Sequence, residues 1–440
     1  MKLRDFRVAA GLGSLTATVA LLAGLSGAHA QGAPGGGSFP GSILLPGTNT
    51  SFKVGGYAKF DYTYDFSQQE GIVGGSSAVG LALDGNATTK ENPGHTVSHG
   101  SQMTASESRF NIETRTPTGY GEMKTLIEGD FTGPSGLTPG AGFKVTSNST
   151  GFRLRLAYGT LGPFMLGQNA SLFRDASTEA ETLDFGGDVV AGVLRQPQAR
   201  YTYDFGNGLT VAGAVENPQL NIEGNGIGLF GGGGTTFSTG LADPIPDFTG
   251  AIGWAQPWGH IVGRGVIRDL SAKAAPIIAP VTGLNDSALG WAIGLSGDYH
   301  TWGKDDIAFE INGGDGGGRY ISDGANPVPD AVIDAFGNIQ TIPVVDFMLN
   351  YQHWWTDTLR SNLSGGYARL FQPSNNGINF ASTAAFNAQN RDFYTMHVNL
   401  IWSPVPQVDT GIEFILEQRK VENGLTGNLD RIQVSTKFKF

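Results

Sequence analysis

From Phe52 onward the chain alternates apolar and polar residues with a period of two, the pattern of a β-strand whose two faces meet different surroundings. In residues 52–66, Phe52, Val54, Phe60, Tyr62, Tyr64 and Phe66 share one face, and Lys53, Lys59, Asp61, Thr63 and Asp65 share the other. Residues 108–115 repeat the pattern, with Arg109, Asn111, Glu113 and Arg115 against Phe110 and Ile112, and 153–156 read Arg-Leu-Arg-Leu. At the end of the chain Arg431, Gln433, Ser435, Lys437 and Lys439 alternate with Ile432, Val434, Thr436, Phe438 and Phe440.

Turn-forming residues divide this pattern into about sixteen segments of roughly 9–15 residues, the length a tilted membrane strand and its extensions require. Seven tight turns fall at 116–119, 161–163, 206–208, 257–259, 302–303, 356–357 and 403–406. Eight long connections lie near 67–103, 132–150, 170–196, 217–247, 269–286, 313–342, 372–389 and 421–427. Their alternation predicts an all-β fold: a transmembrane antiparallel β-barrel of 16 strands, with both termini at the tight-turn end. A hairpin hidden in 217–247 would raise the count to 18.

A soluble sandwich also alternates, but it packs its apolar faces into a core. Tryptophan placement separates the two. Six of the seven, Trp254, Trp258, Trp302, Trp354, Trp355 and Trp402, sit at or near a tight turn, where an aromatic girdle would mark one bilayer interface.

Residues 1–30 read as an export signal. Lys2, Arg4 and Arg7 form the basic start, 19–25 lie in the apolar stretch, and Ala28-His29-Ala30 is a small-residue cleavage site. A Gly/Pro-rich lead at 31–50 then precedes a barrel at 51–440. Removing the signal takes three basic groups and one acidic group from a formal charge of −11 and leaves −13, which excludes a general nucleic-acid footprint. No later run of 18 apolar residues exists, so any membrane span is built from strands.

Several stretches resemble the DcaP-like porins. They are Pro40-Gly41-Ser42-Ile43-Leu44-Leu45-Pro46-Gly47 leading into Lys53-Val54-Gly55-Gly56-Tyr57, then Ser108-Arg109-Phe110, then Gly167-Gln168. Glu181-Thr182-Leu183-Asp184-Phe185-Gly186-Gly187 and Arg195-Gln196-Pro197 follow. The resemblance implies a homotrimeric channel in the outer membrane of a Gram-negative bacterium, bounded by outer-membrane lipid, needing no cofactor and passing small polar solutes, anions and dicarboxylates in particular. The helical periplasmic extension of some members is replaced here by the lead at 31–50.

A pore makes no bonds, so its chemistry is the field across a constriction. The connection 170–196 is the natural loop to fold inward, with Asp175, Glu179, Glu181, Asp184 and Asp188 between Arg174 and Arg195. Barrel closure sets the last strand beside the first, so inward bases gather on neighbouring staves. They are Lys437 and Lys439, Lys53 and Lys59, Arg109 and Arg115, Lys124, then Arg153 and Arg155, with Arg200, Arg264 and Arg268 further on. On the lipid face each would cost about 2–4 kcal/mol near the midplane. Glu113, Glu122, Glu128 and Asp130 share the inward face and neutralise part of this wall. Arg109, Arg153 and Arg155, nearer mid-strand, are expected to meet the carboxylate-bearing loop and favour anions.

Other chemistries are poorly supported. His95, His99, His260, His300, His353 and His397 are scattered and pair with no evident nucleophile, and His95 and His99 lack the helix that would aim both at a metal. Gly224-Asn225-Gly226-Ile227-Gly228 precedes no amphipathic helix and is no nucleotide loop. The competing class is an adhesin acting through loops 67–103 and 217–247, which bilayer conductance would separate from an open pore.

Overall fold

The computed structural model describes residues 36–67, 78–83, 99–133, 150–190, 194–221, 244–274, 284–321, 328–333, 338–373 and 389–440. The chain divides into two compact units, Met1–Lys53 and Val54–Phe440. In the first, β1 (Ile43–Leu44) runs antiparallel to the start of β2 (Ser51–Asp65), pairing Ile43 with Phe52 and Leu44 with Ser51. The Ser42 hydroxyl there donates to the Phe39 carbonyl at 2.6 Å.

The second unit is a closed antiparallel barrel. β3 (Gly100–Thr104) and β4 (Arg109–Thr118) both pair with β2 and make two halves of one stave. Tight turns join β4 to β5 (Gly121–Gly133), β6 (Gly151–Leu161) to β7 (Phe164–Ala170), and β8 (Arg195–Asp204) to β9 (Leu209–Glu216). They also join β10 (Asp247–Gln256) to β11 (Gly259–Ala274) and β12 (Leu284–His300) to β13 (Asp306–Asp315). A hairpin of β14 (Ala331–Ile333) and β15 (Ile339–Thr341) lies in the next connection. The last tight turns join β16 (Pro343–Trp354) to β17 (Leu359–Leu370) and β18 (Asn390–Val405) to β19 (Val408–Val421). β20 (Thr426–Lys439) then pairs with β2 from Tyr57↔Lys439 to Asp65↔Arg431 and closes the cylinder.

The sheet has 18 strands; without β1, and with β3 and β4 counted as one, 16 staves form the barrel among the described residues. Seven tight turns alternate with eight other connections in the expected order, but the first and last tight turns fall at 119–120 and 406–407 rather than 116–119 and 403–406, because β4 and β18 run on to Thr118 and Val405. The connections between β11 and β12 and between β19 and β20 are shorter than expected, at 275–283 and 422–425, because the flanking strands run on.

Burial is inverted relative to a soluble protein. Outward Phe60, Ile127, Leu166, Ile293, Phe347 and Leu400 are exposed, whereas inward Asp61, Thr63, Asp130, Glu413 and Arg431 are buried. A surface this apolar is stable only against lipid. At the tight-turn end Trp302 and Trp355 stand exposed, and Trp254 packs edge-to-face on Trp258 with ring centres 5.7 Å apart. Across the seam, Arg431 and Asp65 form a buried two-pronged ion pair at 2.6 and 3.0 Å.

One side of the lumen departs from the polar pattern. Val266, Ala292, Val344, Met348, Ala368 and Leu370 share the parity of inward polar neighbours on β11, β12, β16 and β17, yet join one apolar cluster. Phe173, Val189 and Val190 reach it from the β7–β8 connection, and Tyr320, Ile321, Val328 and Ile342 from the β13–β16 connection. Two connections thus carry apolar side chains into the barrel, and these wall positions are apolar because they are covered by protein rather than water.

Candidate functional site

A backbone that leaves the sheet for the lumen must find new hydrogen-bond partners for its polar groups. In the β7–β8 connection these partners can be followed around the wall. Near its start, Leu172 N–H donates to Glu216 of β9 at 2.9 Å. The Phe173 carbonyl accepts from Arg264 of β11 at 2.7 Å, with that guanidinium 5.3 Å from the Phe173 ring centre. The Asp175 carboxylate accepts from His260 of β11 at 2.8 Å and from Ser296 of β12 at 2.7 Å. Further along, Glu181 pairs with Arg360 of β17 and its carbonyl accepts from Asn399 of β18 at 2.8 Å. Leu183 and Asp184 N–H groups donate to Glu413 of β19 at 2.7 and 3.1 Å. The Leu183 carbonyl accepts from Lys59 of β2 at 2.7 Å and Gln433 of β20 at 2.9 Å. Asp188 accepts from Thr395 at 3.0 Å and from the Ser364 hydroxyl. The segment therefore crosses the lumen from β7 to the wall of β16–β20.

Asp175 sits at the base of this crossing. Burial alone would raise its carboxyl pKa, but hydrogen bonds from Ser177, His260 and Ser296 outweigh it and hold the group below the usual carboxylate range. A depressed acid contributes fully above the ordinary carboxylate range and loses its contribution as pH falls through its folded titration point. Asp175→Ala is expected to show, at neutral pH, the conductance and noise that the parent channel shows only in acid. Planar-bilayer recordings across pH check this, and a variant identical to the parent at every pH would refute it.

On the other side of the segment five guanidiniums, those of Arg109, Arg153, Arg155, Arg174 and Arg195, line a cavity of about 160 Å³ together with Phe185, Gly186 and Gly187. Three of them, Arg109, Arg153 and Arg155, lie 5.4, 5.4 and 5.3 Å from the Phe185 ring centre, within cation–π range. Arg153 grips Asp130 at 3.0 and 2.8 Å, Arg155 reaches Glu128 at 2.9 Å and Asp130 at 3.2 Å, and Arg109 stands 3.7 and 3.9 Å from the same two acids. Arg174 pairs with Glu179. Arg195 makes no ion pair among the described residues and faces the like charges of Arg155, Arg174, Arg153 and Arg109. Five cations here share three paired carboxylates, Glu128, Asp130 and Glu179, while Asp188 in the same lining is turned to hydroxyls.

The loop carboxylates do not meet Arg109, Arg153 and Arg155. Asp175, Glu181 and Asp188 are spent on the opposite wall, and Asp184 accepts from the N–H groups of its own Gly186 and Gly187 at 2.8 and 3.2 Å. What meets the three arginines is the aromatic face of Phe185.

The remaining bases serve other ends. Lys59 is buried against Glu107, Asp61 and the Leu183 carbonyl, and Arg264 lies 3.1 Å from Glu310. Arg268 pairs with Asp330 at 2.7 Å, and Arg200 donates to the Ala170 carbonyl at 2.7 Å. Lys59, Arg264 and Arg268 thus support inward-folded backbone, and Arg200 the end of β7. Arg115 and Lys124 sit near the tight-turn end around Glu113, at 2.7 and 3.7 Å. Lys437 lies 5.1 Å from the Tyr57 ring centre, and Lys439 pairs with Asp409 at 3.0 Å.

The sequence reading missed the second crossing segment. There Arg319 bonds Gln196, and the Tyr320 hydroxyl donates to Asp247 at 2.7 Å. The signal was present in the apolar residues at inward parity on β11, β12, β16 and β17, which need something apolar to cover them. His397 is buried, with Nδ1 3.1 Å from Glu413, and supports the loop anchor. His95, Gly224 and Gly228 lie outside the described residues, as does most of the 67–103 and 217–247 connections.

An inverted barrel whose polar lumen is crossed by a tethered connection is an outer-membrane channel of Gram-negative bacteria, and it acts as a porin rather than an enzyme. Residues 41–408 match the family model described as the porin subfamily, and the chain belongs to that family. It is 25% identical to porin Omp2a of Brucella ovis over 286 residues, covering 64% of this chain and 74% of that one. Porin Omp2b of Brucella canis is also 25% identical, over 292 residues, covering 64% and 68%. Among solved structures, the outer membrane channel DcaP of Acinetobacter baumannii superposes with a TM-score of 0.70 at 19% identity, covering 90% of this chain and 99% of that one. An anion-selective porin from Comamonas acidovorans matches with a TM-score of 0.54 at 10% identity, covering 89% and 100%.

Proposed function

We propose that this porin passes small anions by passive diffusion, dicarboxylates foremost, and that the arginine cluster around Phe185 is its selectivity element. The observation that carries the reading is the excess of guanidinium over carboxylate at Arg109, Arg153, Arg155, Arg174 and Arg195. Its positive field would act on any solute beside the crossing segment, and the low polarizability of the surrounding protein strengthens it relative to bulk water. The resemblance to DcaP-like porins and the anion selectivity named for the Comamonas protein support the same sign of charge. The arrangement is read as acting in a homotrimer, as the resemblance to DcaP-like porins implies; a trimer form is named for OmpT of Vibrio cholerae, whose fold is similar. Export through a signal at 1–30, with the mature chain starting near Gln31, belongs to the same proposal and is checked by intact mass.

Reversal potentials across a planar bilayer with a potassium chloride gradient, then with a dicarboxylate salt, test the assignment. Anion permeability above cation permeability, and interruption of chloride current by the dicarboxylate, are expected. A cation-preferring or non-discriminating pore would overturn it.

A further inference from the structure

The outward face of β16–β18 carries a notch that the pore function does not use. Gly365 leaves open space on the lipid side, where an added Cβ would find nothing closer than the Thr395 carbonyl at 3.7 Å. Leu349 and Met396 flank it in register, Leu363 lies toward the tight-turn end, and Phe347, Tyr367 and Tyr394 wall it toward the long-connection end. The Tyr367 ring centre is 5.6 Å from Phe347 and 4.8 Å from Tyr394. The resulting apolar groove has a volume of about 600 Å³.

One step further from the tight turns, the outward face turns basic. Arg369 pairs in register with Asp392, and Asp392 with Lys420. Asp392 is buried and accepts from the Tyr367 hydroxyl at 2.8 Å, from Arg391 at 2.9 Å and from Arg369 at 3.4 Å. The backbone of Lys420 pairs in register with Asp392 and Thr426, and its side chain makes no hydrogen bond or ion pair among the described residues. With Glu422 close by, three cations outnumber two carboxylates, and Arg369 keeps 41% of its side chain exposed. Bases on a lipid-facing wall are tolerated where headgroups begin, and there they attract anionic lipid.

We infer that this wall holds one lipid of the outer leaflet, its phosphate on Arg369, Arg391 and Lys420 and an acyl chain along the groove at Gly365. Both halves of the ligand are thereby specified: an anionic phosphate head and a flexible apolar tail. Charge complementarity sets the orientation, since the basic row lies at the extracellular end of the groove.

Native mass spectrometry of the detergent-purified full chain, incubated with diphosphorylated lipid A or with zwitterionic phosphatidylethanolamine, tests this. Retention of lipid A over phosphatidylethanolamine is expected. The triple variant R369Q/R391Q/K420Q and, separately, Gly365→Leu should each weaken lipid A retention by about tenfold or more, the worth of one charge-assisted contact or one filled groove. The anion-to-cation permeability ratio should stay unchanged in both, which also shows that the variants fold. Equal lipid A retention by parent and variants would overturn the site. Equal retention of phosphatidylethanolamine and lipid A would also overturn it, since it would mean that the basic row contributes nothing. If Gly365→Leu changes oligomer mass but leaves lipid retention intact, the groove seats a second copy of the chain and the lipid assignment falls.

Discussion

Replacing Arg109, Arg153 and Arg155 together by glutamine is expected, on the function proposed above, to turn an anion-favouring pore into a cation-favouring one. The cluster would pass from five guanidiniums against Glu128, Asp130 and Glu179 to two against the same three, so the local excess changes sign. A single charge about 5 Å from a passing carboxylate is worth about 1–3 kcal/mol at effective dielectric constants between water and the protein surface. Loss of three moves the permeability ratio by about tenfold or more, at 1.4 kcal/mol per factor of ten. The control is R153Q/R155Q with E128Q/D130N, which removes cations and anions in equal number. That variant should keep the anion preference, and reversal potentials that move equally in both would show that the cluster's charge does not set selectivity.

The second large effect is expected at Glu413. Its buried carboxylate accepts from the backbone of Leu183 and Asp184, from Asn399 at 2.8 Å and from His397, so one side chain ties the far end of the crossing segment to β18 and β19. Removing a buried charged hub costs about 3–5 kcal/mol. Glu413→Ala should release the 183–184 region, raising single-channel conductance and its noise and weakening anion preference. Glu413→Gln keeps an acceptor and is expected to fall between the two. A Glu413→Ala channel with the parent's conductance and selectivity would mean that the segment is held without this anchor.

Much of the architecture was legible because a bilayer imposes one rule on every residue of a strand. Phe60 must face lipid and Asp61 must not, so a period of two fixes the orientation of each stave, and tight turns such as 162–163 fix the order. The lumen obeys no such single rule. Arg264 and Arg155 have the same inward parity, yet one spends its charge on the Phe173 carbonyl while the other faces a cavity. Parity gives direction but says nothing about what lies opposite. The loop carboxylates were read as partners for Arg109, Arg153 and Arg155, whereas Glu181 crosses to Arg360 and an apolar residue, Phe185, takes the place beside the arginines. Nothing local to residues 175–188 distinguishes those outcomes, because the deciding partners, such as Arg360 for Glu181 and Arg155 for Phe185, lie on other strands, away from this stretch of chain.

The apolar cluster on the β11–β17 side has an effect on how solutes sense ionic strength. Ions have no path through it, so they are steered toward the arginine-bearing staves instead of spreading over the full bore. A guanidinium bordering the remaining space is felt over about 8 Å in physiological saline, one Debye length. On the proposed reading, discrimination between anions and cations should therefore hold at physiological ionic strength and fade as the salt approaches molar, where the screening length falls to about 3 Å.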